Sequence, residues 1–173
     1  MKYLKIVPIF FFLFSFYAGL SQADYYWVGG QGVWADLNSW RLVSGEIPNE
    51  IPDAQDNIIF NENSFLQPFD TVFIKTNNPL CNNLTFTNIQ MPVVIEGGIA
   101  GSTYFNVYGS ITLHPLVINN YRGQIDMMSD ETGNTIDCAG SRFAGDLNFN
   151  GSGEWIIMDT RWFSIPLSGS HCF

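Results

Sequence analysis

The sequence predicts an all-β fold, a right-handed parallel β-helix in which successive coils of short strands stack on one another. Short apolar runs recur after residue 57, and several alternate polar and apolar residues with the period of two typical of half-buried strands. The runs return at an interval of about twenty residues, with two or three runs in each interval. No stretch of helical periodicity follows the amino-terminal leader.

Residues 1–23 have the features of a secretory signal peptide. Lys2 and Lys5 form a short basic region, residues 9–20 are apolar and rich in phenylalanine, and small residues precede Asp24. The apolar stretch is short for a membrane span, and no later stretch is long enough to be one. We therefore expect an exported protein, secreted or at the cell surface, with no transmembrane segment after cleavage. A retained signal anchor is the alternative.

Cleavage would leave a strongly acidic chain of 150 residues, which suits one domain with its own core. The whole sequence has a formal charge of −9, and the cleaved chain keeps sixteen acidic but only five of the seven basic residues, a charge of −11. Such a surface should repel nucleic acid and anionic membranes. We expect neither as a partner.

The segment 24–56 is predicted to be an amino-terminal cap followed by a polar connection. Three of the five tryptophans fall within fourteen residues, interleaved with glycines: Trp27, Gly29, Gly30, Gly32, Trp34 and Trp40. Glycine permits sharp bends and close backbone approach, and each tryptophan brings a large apolar surface to bury. Because the end of a β-helix exposes core and unpaired strand groups, we expect the three rings to cover the first coil.

The segment 57–173 is predicted to be a repeat region that is incomplete at its carboxyl end. Two sets of apolar residues define the period. The first set is Leu84, Phe105, Ile125, Leu147 and Ile165, at intervals of 21, 20, 22 and 18; the second is Val72, Val93, Ile111, Ile136 and Ile156, at intervals of 21, 18, 25 and 20. An antiparallel β-sandwich is the alternative, and the β-helix is favoured because hairpin dipeptides such as Asn-Gly are rare.

Several short motifs follow one another in the first part of the chain. They are Tyr26-Trp27-Val28-Gly29-Gly30-x-Gly32-x-Trp34, Asn38-Ser39-Trp40, Ile47-Pro48, Asp56-Asn57-Ile58-Ile59-Phe60 and Asn63-Ser64-Phe65, with Cys81–Thr85 and Val107–Leu113 later. This pattern resembles the amino-terminal region of large secreted, adhesin-like surface proteins of gliding Gram-negative bacteria, over most of residues 25–158. The resemblance implies a cell-surface role and a β-helical stalk, and it does not imply an enzyme.

Members of that group carry a carboxy-terminal sorting domain for type IX secretion, which residues 159–173 do not resemble. The chain is therefore expected to be a short relative, a truncated product or an isolated leading module.

Carboxylates are the candidates for chemistry, since β-helical lyases and hydrolases place aspartates on neighbouring coils. Asp126, Asp130, Glu131 and Asp137 cluster in the sequence, with Arg122 and Arg142 as the nearby basic residues. Glycoside hydrolysis needs two carboxyl groups about 5–9.5 Å apart in a groove, and nothing in this spacing requires that arrangement. A solvated loop is the favoured interpretation, and no residue is predicted to be catalytic.

Other candidates also have simpler interpretations. Calcium is a weak alternative for the oxygen-rich set Asp53, Asp56, Asn57, Asn61 and Glu62, which we interpret as solvated turn residues. The two histidines, His114 and His171, lie outside known catalytic motifs. Trp155 and Trp162 could stack on sugars, but we expect them to pack in the core. No cofactor is predicted.

Cysteine usage does not predict a disulfide framework, because the three cysteines, Cys81, Cys138 and Cys172, are odd in number. They lie too far apart along the chain to fit any zinc motif. We expect buried or semi-buried thiols, with a Cys81–Cys138 bridge as the alternative.

The leading hypothesis is a secreted, non-enzymatic β-helical module that presents a surface for attachment to polysaccharide or to other cells. A polysaccharide lyase or hydrolase and a purely structural stalk segment are the alternatives. The runs 155–158 and 162–165 are apolar, and eight residues follow the second. Because these residues form no evident cap, we also expect self-association through an open carboxy-terminal coil.

Overall fold

The computed structural model describes residues 22–75 and 78–158. In these ranges the chain forms short strands of two to five residues and one 3₁₀ turn, Leu37–Ser39, with no α-helix. The strands are β1 (Asp24–Trp27), β2 (Gly32–Val33), β3 (Trp40–Leu42), β4 (Asn57–Phe60), β5 (Thr71–Ile74), β6 (Leu80–Cys81), β7 (Leu84–Phe86), β8 (Val93–Gly97), β9 (Tyr104–Val107), β10 (Ile111–Thr112), β11 (Val117–Tyr121), β12 (Gln124–Met127), β13 (Asn134–Asp137), β14 (Leu147–Phe149) and β15 (Trp155–Ile157).

The strands form three sheets that wind as a parallel β-helix. Sheet 1 has the order β15-β13-β10-β7-β4-β1-β3, sheet 2 the order β11-β8-β5-β2, and sheet 3 the order β14-β12-β9-β6. The chain visits sheets 1, 2 and 3 in turn, so that β4–β5–β6, β7–β8–β9 and β10–β11–β12 are complete coils. Of the strand pairs in the described ranges, β1 with β3 is antiparallel and the others are parallel. The β-helix prediction is confirmed, and the sandwich alternative is wrong.

The predicted period of about twenty residues holds for β9, β12 and β14 of sheet 3, but Cys81 and Val107 of the same sheet are in register at an interval of 26. It is too short for sheet 2 and for most of sheet 1. Phe105, Ile125 and Leu147 lie in register in sheet 3, as predicted. Leu84, which was grouped with them, lies in sheet 1 instead, in register with Ile111 of the next coil. Coils therefore differ in length when followed along different sheets, because the turns between strands vary. A single period cannot align all three sheets.

The second predicted column mixes residues of two sheets. Val72 and Val93 belong to sheet 2, where Val72 pairs with Ile95. Ile111 and Ile136 are true neighbours in sheet 1, but Ile156 lies beside Thr135. The last residue of the first set, Ile165, lies outside the described residues.

The interior is filled by columns of apolar side chains that run from coil to coil. On sheet 1 the column consists of Tyr25, Ile58, Leu84, Ile111 and Ile136, which are in register and buried. A second column contains aromatic rings, and the rings of Phe60 and Phe86 stack with their centroids 4.2 Å apart. Removal of these side chains from water is the main stabilising contribution in a fold with no helices in the described ranges.

A column of short polar residues, the polar corner, runs along the start of sheet 1. Its members are Asp24, Asn57, Asn83, Ser110 and Thr135. The Asn57 amide donates to Asp24 Oδ1 (2.8 Å) and the Asn83 amide donates to Asn57 Oδ1 (2.8 Å). The Ser110 backbone N–H donates to Asn83 Oδ1 (2.7 Å), and the Thr135 N–H donates to Ser110 Oγ (3.0 Å). Side chains thus satisfy backbone donors where the chain turns into sheet 1.

The tryptophan cluster, Trp27, Trp34 and Trp40, is buried inside the first coil. Trp40 meets each of the other two rings edge to face, with centroids 4.9 Å apart in both pairs. The Trp27 indole N–H donates to the Gly30 carbonyl (3.0 Å), and that of Trp40 donates to the Trp34 carbonyl (2.8 Å). Beside the cluster, β3 forms the amino-terminal edge of sheet 1.

The glycines of this segment have two different roles. Gly30 has φ of +54°, the sharp bend that the sequence predicts. Gly29 and Gly32 instead provide space, because a Cβ at either position would lie 2.7 Å or 3.0 Å from Ser39 Oγ and against the Trp27 ring. The glycines therefore allow the backbone to approach the indole.

Cys81 is a free, buried thiol, and burial raises its pKa above the ordinary range. The Cys81–Cys138 bridge is therefore wrong, and the prediction of a buried thiol is confirmed for Cys81. Cys138 is also buried. Cys172 lies outside the described residues.

Candidate functional site

A groove of about 560 Å³ lies on the outer face of sheet 2. Its lining consists of Glu96, Gly97, Gly98, Asn120, Arg122 and Ala144. The polar members come from two neighbouring coils, at the ends of β8 and β11. We call this surface the sheet-2 groove, and its lining makes it the candidate site of the described chain.

The register of sheet 2 builds the groove from two outward rows. Phe73, Glu96 and Asn120 are partners on β5, β8 and β11 and form the first row. The second row is formed by positions 75, 98 and 122, which directly follow Ile74, Gly97 and Tyr121, the in-register last residues of the three strands. Residues two apart on a strand share a face, and neighbouring strands are about 4.8 Å apart.

The second row has no side chain at its centre, because position 98 is a glycine. Gly98 has φ of +71°, and a Cβ there would overlap the backbone of Gly123 on the next coil. The preceding residue, Gly97, has φ of +132°, and a Cβ there would overlap the carbonyl of Ile74. Gly145 approaches Gly123 equally closely from the other side. The floor of the groove is therefore bare backbone that no other residue type could replace without displacing a coil.

The polar side chains around this floor are exposed to solvent. Glu96, Asn120 and Arg122 are all exposed, and within residues 22–75 and 78–158 their side chains make no hydrogen bond or ion pair. The Lys75 ammonium lies over the ring of Phe73, 4.6 Å from its centroid. The groove thus presents a carboxylate, an amide and a guanidinium beside an aromatic ring that carries a cation.

Positive charge is concentrated at this surface. The described ranges contain four basic residues, Arg41, Lys75, Arg122 and Arg142. Arg142 belongs to the segment 141–145, which crosses the edge of β11, since Ser141 Oγ donates to the Val117 carbonyl (2.9 Å). Arg41 is the exception, because its guanidinium donates to the backbone carbonyls of Asn38 and Trp40 beside the tryptophan cluster. Three of the four basic residues in the described ranges therefore lie on or beside sheet 2.

The carboxylates that the sequence singled out are dispersed over other sheets. Asp126 is buried in β12 of sheet 3, where its Oδ1 accepts from the Gln124 amide (2.6 Å) and the Asn148 amide (3.3 Å). Asp137 ends β13 of sheet 1 and accepts from the Ala139 N–H (2.9 Å). The interpretation of a solvated loop is wrong for these two residues, because both lie in strands.

The remaining two members of that sequence cluster lie in the turn between β12 and β13. Asp130 accepts from the Ser152 N–H (3.0 Å) and hydroxyl (2.8 Å), and these hydrogen bonds lower its pKa. Glu131 is exposed in the same turn. The solvated interpretation holds here, and the four carboxylates do not converge on one point.

The side chains of the oxygen-rich set near residue 56 mostly accept hydrogen bonds from backbone N–H groups of nearby turns. Asp53 accepts from the Gln55 N–H (2.8 Å) and Asn61 from the Asn63 N–H (2.9 Å). Asp56 accepts from the N–H groups of Ala23 (3.0 Å) and Asp53 (2.9 Å), and burial raises its pKa against the effect of these bonds. Asn57 belongs to the polar corner, and Glu62 is exposed. Across the described ranges no three His, Cys, Asp or Glu side chains come together as metal ligands would.

The remaining candidates from the sequence have structural positions or lie outside the described part. Trp155 packs in the core as predicted, with its indole N–H donating to the Gly109 carbonyl (3.1 Å). His114 Nδ1 accepts from the Leu116 N–H (3.3 Å) in a turn. Trp162 and His171 lie outside the described residues.

Sequence reasoning considered Arg122 as a basic residue near the carboxylate cluster, but it did not identify the other groove residues. The available signal was a repeated outward pair, seen in Phe73-x-Lys75, Glu96-x-Gly98 and Asn120-x-Arg122. These pairs recur at an interval slightly longer than the period that the apolar runs suggest. A search period of about twenty residues therefore does not align them.

No protein-family model matches the chain, and no curated protein or solved structure is similar enough to count as a match. Among the described residues there is also no helix with the length and apolar character needed to cross a membrane. The geometry of the groove is therefore the basis for inferring a function.

Proposed function

We propose that this chain is a secreted, non-enzymatic β-helical module of an adhesin-like cell-surface protein, and that the sheet-2 groove attaches it to polysaccharide. The observation that carries the proposal is the groove itself. Its polar side chains lie on neighbouring coils, have no partners in the described chain and surround a floor of glycine backbone.

The chemistry of the lining suits a ligand rich in hydroxyl groups. A sugar hydroxyl both donates and accepts, and the groove offers an acceptor in Glu96, a donor in Arg122 and both in the Asn120 amide. The glycine floor lets a ligand approach the backbone closely. Because the rows repeat at the spacing of the strands, the site is elongated along the coil axis, as a polymer chain requires.

The non-enzymatic part of the proposal is supported by the composition of the lining. Hydrolysis of a glycosidic bond uses a pair of carboxyl groups about 5–9.5 Å apart, and the lining contains one, Glu96. Asp126 and Asp137 are held by hydrogen bonds on the other two sheets. A polysaccharide-degrading enzyme is the alternative that an activity assay tests.

The proposal is tested by binding of the purified chain from Asp24 onward to a panel of polysaccharides, with the Asn120→Ala variant and a matched control. We expect Asn120→Ala to weaken binding about tenfold, since one or two hydrogen bonds contribute about 1–1.5 kcal/mol. Asn63→Ala removes an exposed amide away from the groove and should have no effect.

Two outcomes would contradict the proposal. Absence of binding to every polysaccharide would favour the structural stalk. Release of reducing or unsaturated ends that is abolished by Glu96→Gln or Asp126→Ala would show an enzyme.

A further inference from the structure

We infer that the polysaccharide bound at the sheet-2 groove is anionic, and that its carboxylate or sulfate group lies over Gly98 between the side chains of Lys75 and Arg122. This inference rests on the proposed function and specifies the ligand class.

The geometry of the second row provides the first argument. Lys75, Gly98 and Arg122 directly follow Ile74, Gly97 and Tyr121, the in-register last residues of β5, β8 and β11. The two basic residues therefore start about two strand spacings, ~9.6 Å, apart, with a glycine between them. Both side chains are long and exposed. An acidic group bound against the Gly98 backbone, which lines the groove, is therefore within reach of both cations.

The second argument is the distribution of charge. The described ranges are strongly acidic, yet three of their four basic residues lie on or beside this sheet. Neither the Lys75 ammonium nor the Arg122 guanidinium forms an ion pair in these ranges. A neutral ligand needs no such concentration of positive charge, whereas an anionic polymer must be attracted locally to a molecule whose net charge repels it.

Replacement of Glu96 tests the inference, because the expected change in binding affinity differs in direction between a neutral and an acidic ligand. The exposed carboxylate of Glu96 lies on the first row, diagonal to both cations. If Glu96 accepts hydrogen bonds from a neutral sugar, its replacement by glutamine weakens binding or leaves it unchanged. If the ligand is anionic, the same replacement removes a repulsion and strengthens binding.

The experiment measures binding of the purified chain to polygalacturonate, a sulfated galactan and a neutral galactan, at about 50 mM and about 300 mM salt. We expect at least one acidic polymer to bind tenfold or more tighter than the neutral one, with a clear loss at high salt. Lys75→Gln and Arg122→Gln should each weaken acidic binding five- to tenfold, and Glu96→Gln should strengthen it two- to fivefold.

Two control variants change the net charge equally at positions away from the groove. The controls are Arg41→Gln and Glu154→Gln. Arg41 lies beside the tryptophan cluster, and Glu154 is exposed just before β15 of sheet 1. Neither should alter binding by more than twofold once its fold has been verified by circular dichroism.

The outcomes separate this inference from the proposed function. Tighter binding of the uronate polymer or of the sulfated polymer supports the inference and identifies which acidic group is recognised. Equal binding of neutral and acidic polymers, unaffected by Lys75→Gln and Arg122→Gln, would overturn the inference and leave polysaccharide attachment standing. If the chain binds none of these three polymers and no polysaccharide of a wider panel, the proposed function itself is overturned.

Discussion

At the level of single residues, the tryptophan cluster combines apolar burial with uneven hydrogen bonding. Trp27 and Trp40 donate their indole N–H groups to backbone carbonyls, whereas Trp34 Nε1 is buried without a partner in the described ranges. The Trp34 ring packs edge to face on Trp40 and on Phe105 of β9, with centroids 4.9 Å and 5.3 Å apart. We propose that this cluster closes the first coil, and that Trp34 contributes through its apolar surface alone.

Trp34→Ala should lower the free energy of unfolding by about 3–5 kcal/mol, because the ring is fully buried. Trp34→Phe should cost less than Trp40→Phe, by about 1–2 kcal/mol, since only Trp40→Phe leaves a buried carbonyl without its donor. Urea denaturation of the three variants measures both differences. An unchanged unfolding midpoint for Trp34→Ala, together with lost sugar binding, would instead make the ring part of a ligand site.

At the level of strands and columns, the polar corner connects the coils through side chains rather than through the strand ladder alone. Asn83 is its central member, because it donates to Asn57 on one side and accepts from the Ser110 N–H on the other. Asparagine is favoured in turns, but the sequence does not indicate that these asparagines share one column, since that depends on the register of sheet 1.

Asn83→Ala should destabilise the fold by about 1–3 kcal/mol, because it leaves the half-buried Ser110 N–H without its acceptor. Asn57 Oδ1 keeps the amides of Gln22 and Asn82 as donors. Thermal or urea unfolding measures the change. Asn63→Ala is the matched control, since Asn63 is exposed and its side chain makes no hydrogen bond in the described ranges. Equal stability of the two variants would show that the polar corner contributes nothing measurable.

Strand register explains how far the structure could be predicted from the sequence. Alternating strands and stacked coils follow from local pattern, and the intervals of 20 and 22 residues between Phe105, Ile125 and Leu147 are close to the predicted period. The preceding interval of the same sheet, from Cys81 to Val107, is 26 and could not be predicted in this way. Glu96 and Asn120 were missed as a pair because their alignment depends on turns whose length no local rule sets. The groove is a property of register, and the sequence predicts register only where the turns are uniform.

For the whole molecule, the described carboxy-terminal end of sheet 1 is β15, which pairs with β13 on one side. Its Ile156 and the following Met158 are 59% and 62% exposed. No other described strand pairs with β15, and a strand edge of this kind with exposed apolar side chains is an association site. We therefore propose, as the sequence predicts, that the protein self-associates through its carboxy-terminal coil despite its negative charge.

Sedimentation of the purified chain over a range of concentrations should show oligomers that grow with concentration. Ile156→Lys should shift the distribution towards monomer, because it places a charge on the proposed contact. Val43→Lys, at an exposed apolar position beyond β3, is the control and should not. A concentration-independent monomer, or a monomer produced by Val43→Lys alone, would contradict this proposal.

The parallel sheets also determine how the molecule would respond to mechanical force. Their hydrogen bonds run along the coil axis. A pull between the two ends of the solenoid therefore breaks the hydrogen bonds between successive coils one coil at a time, instead of shearing all of them together. Phe73 and Glu96 are partners on successive coils, and the chain stored between them would extend to roughly 80 Å when that coil detaches. A molecule built in this way would yield by stepwise lengthening, and if it attaches cells as proposed, that lengthening would absorb drag before the attachment fails.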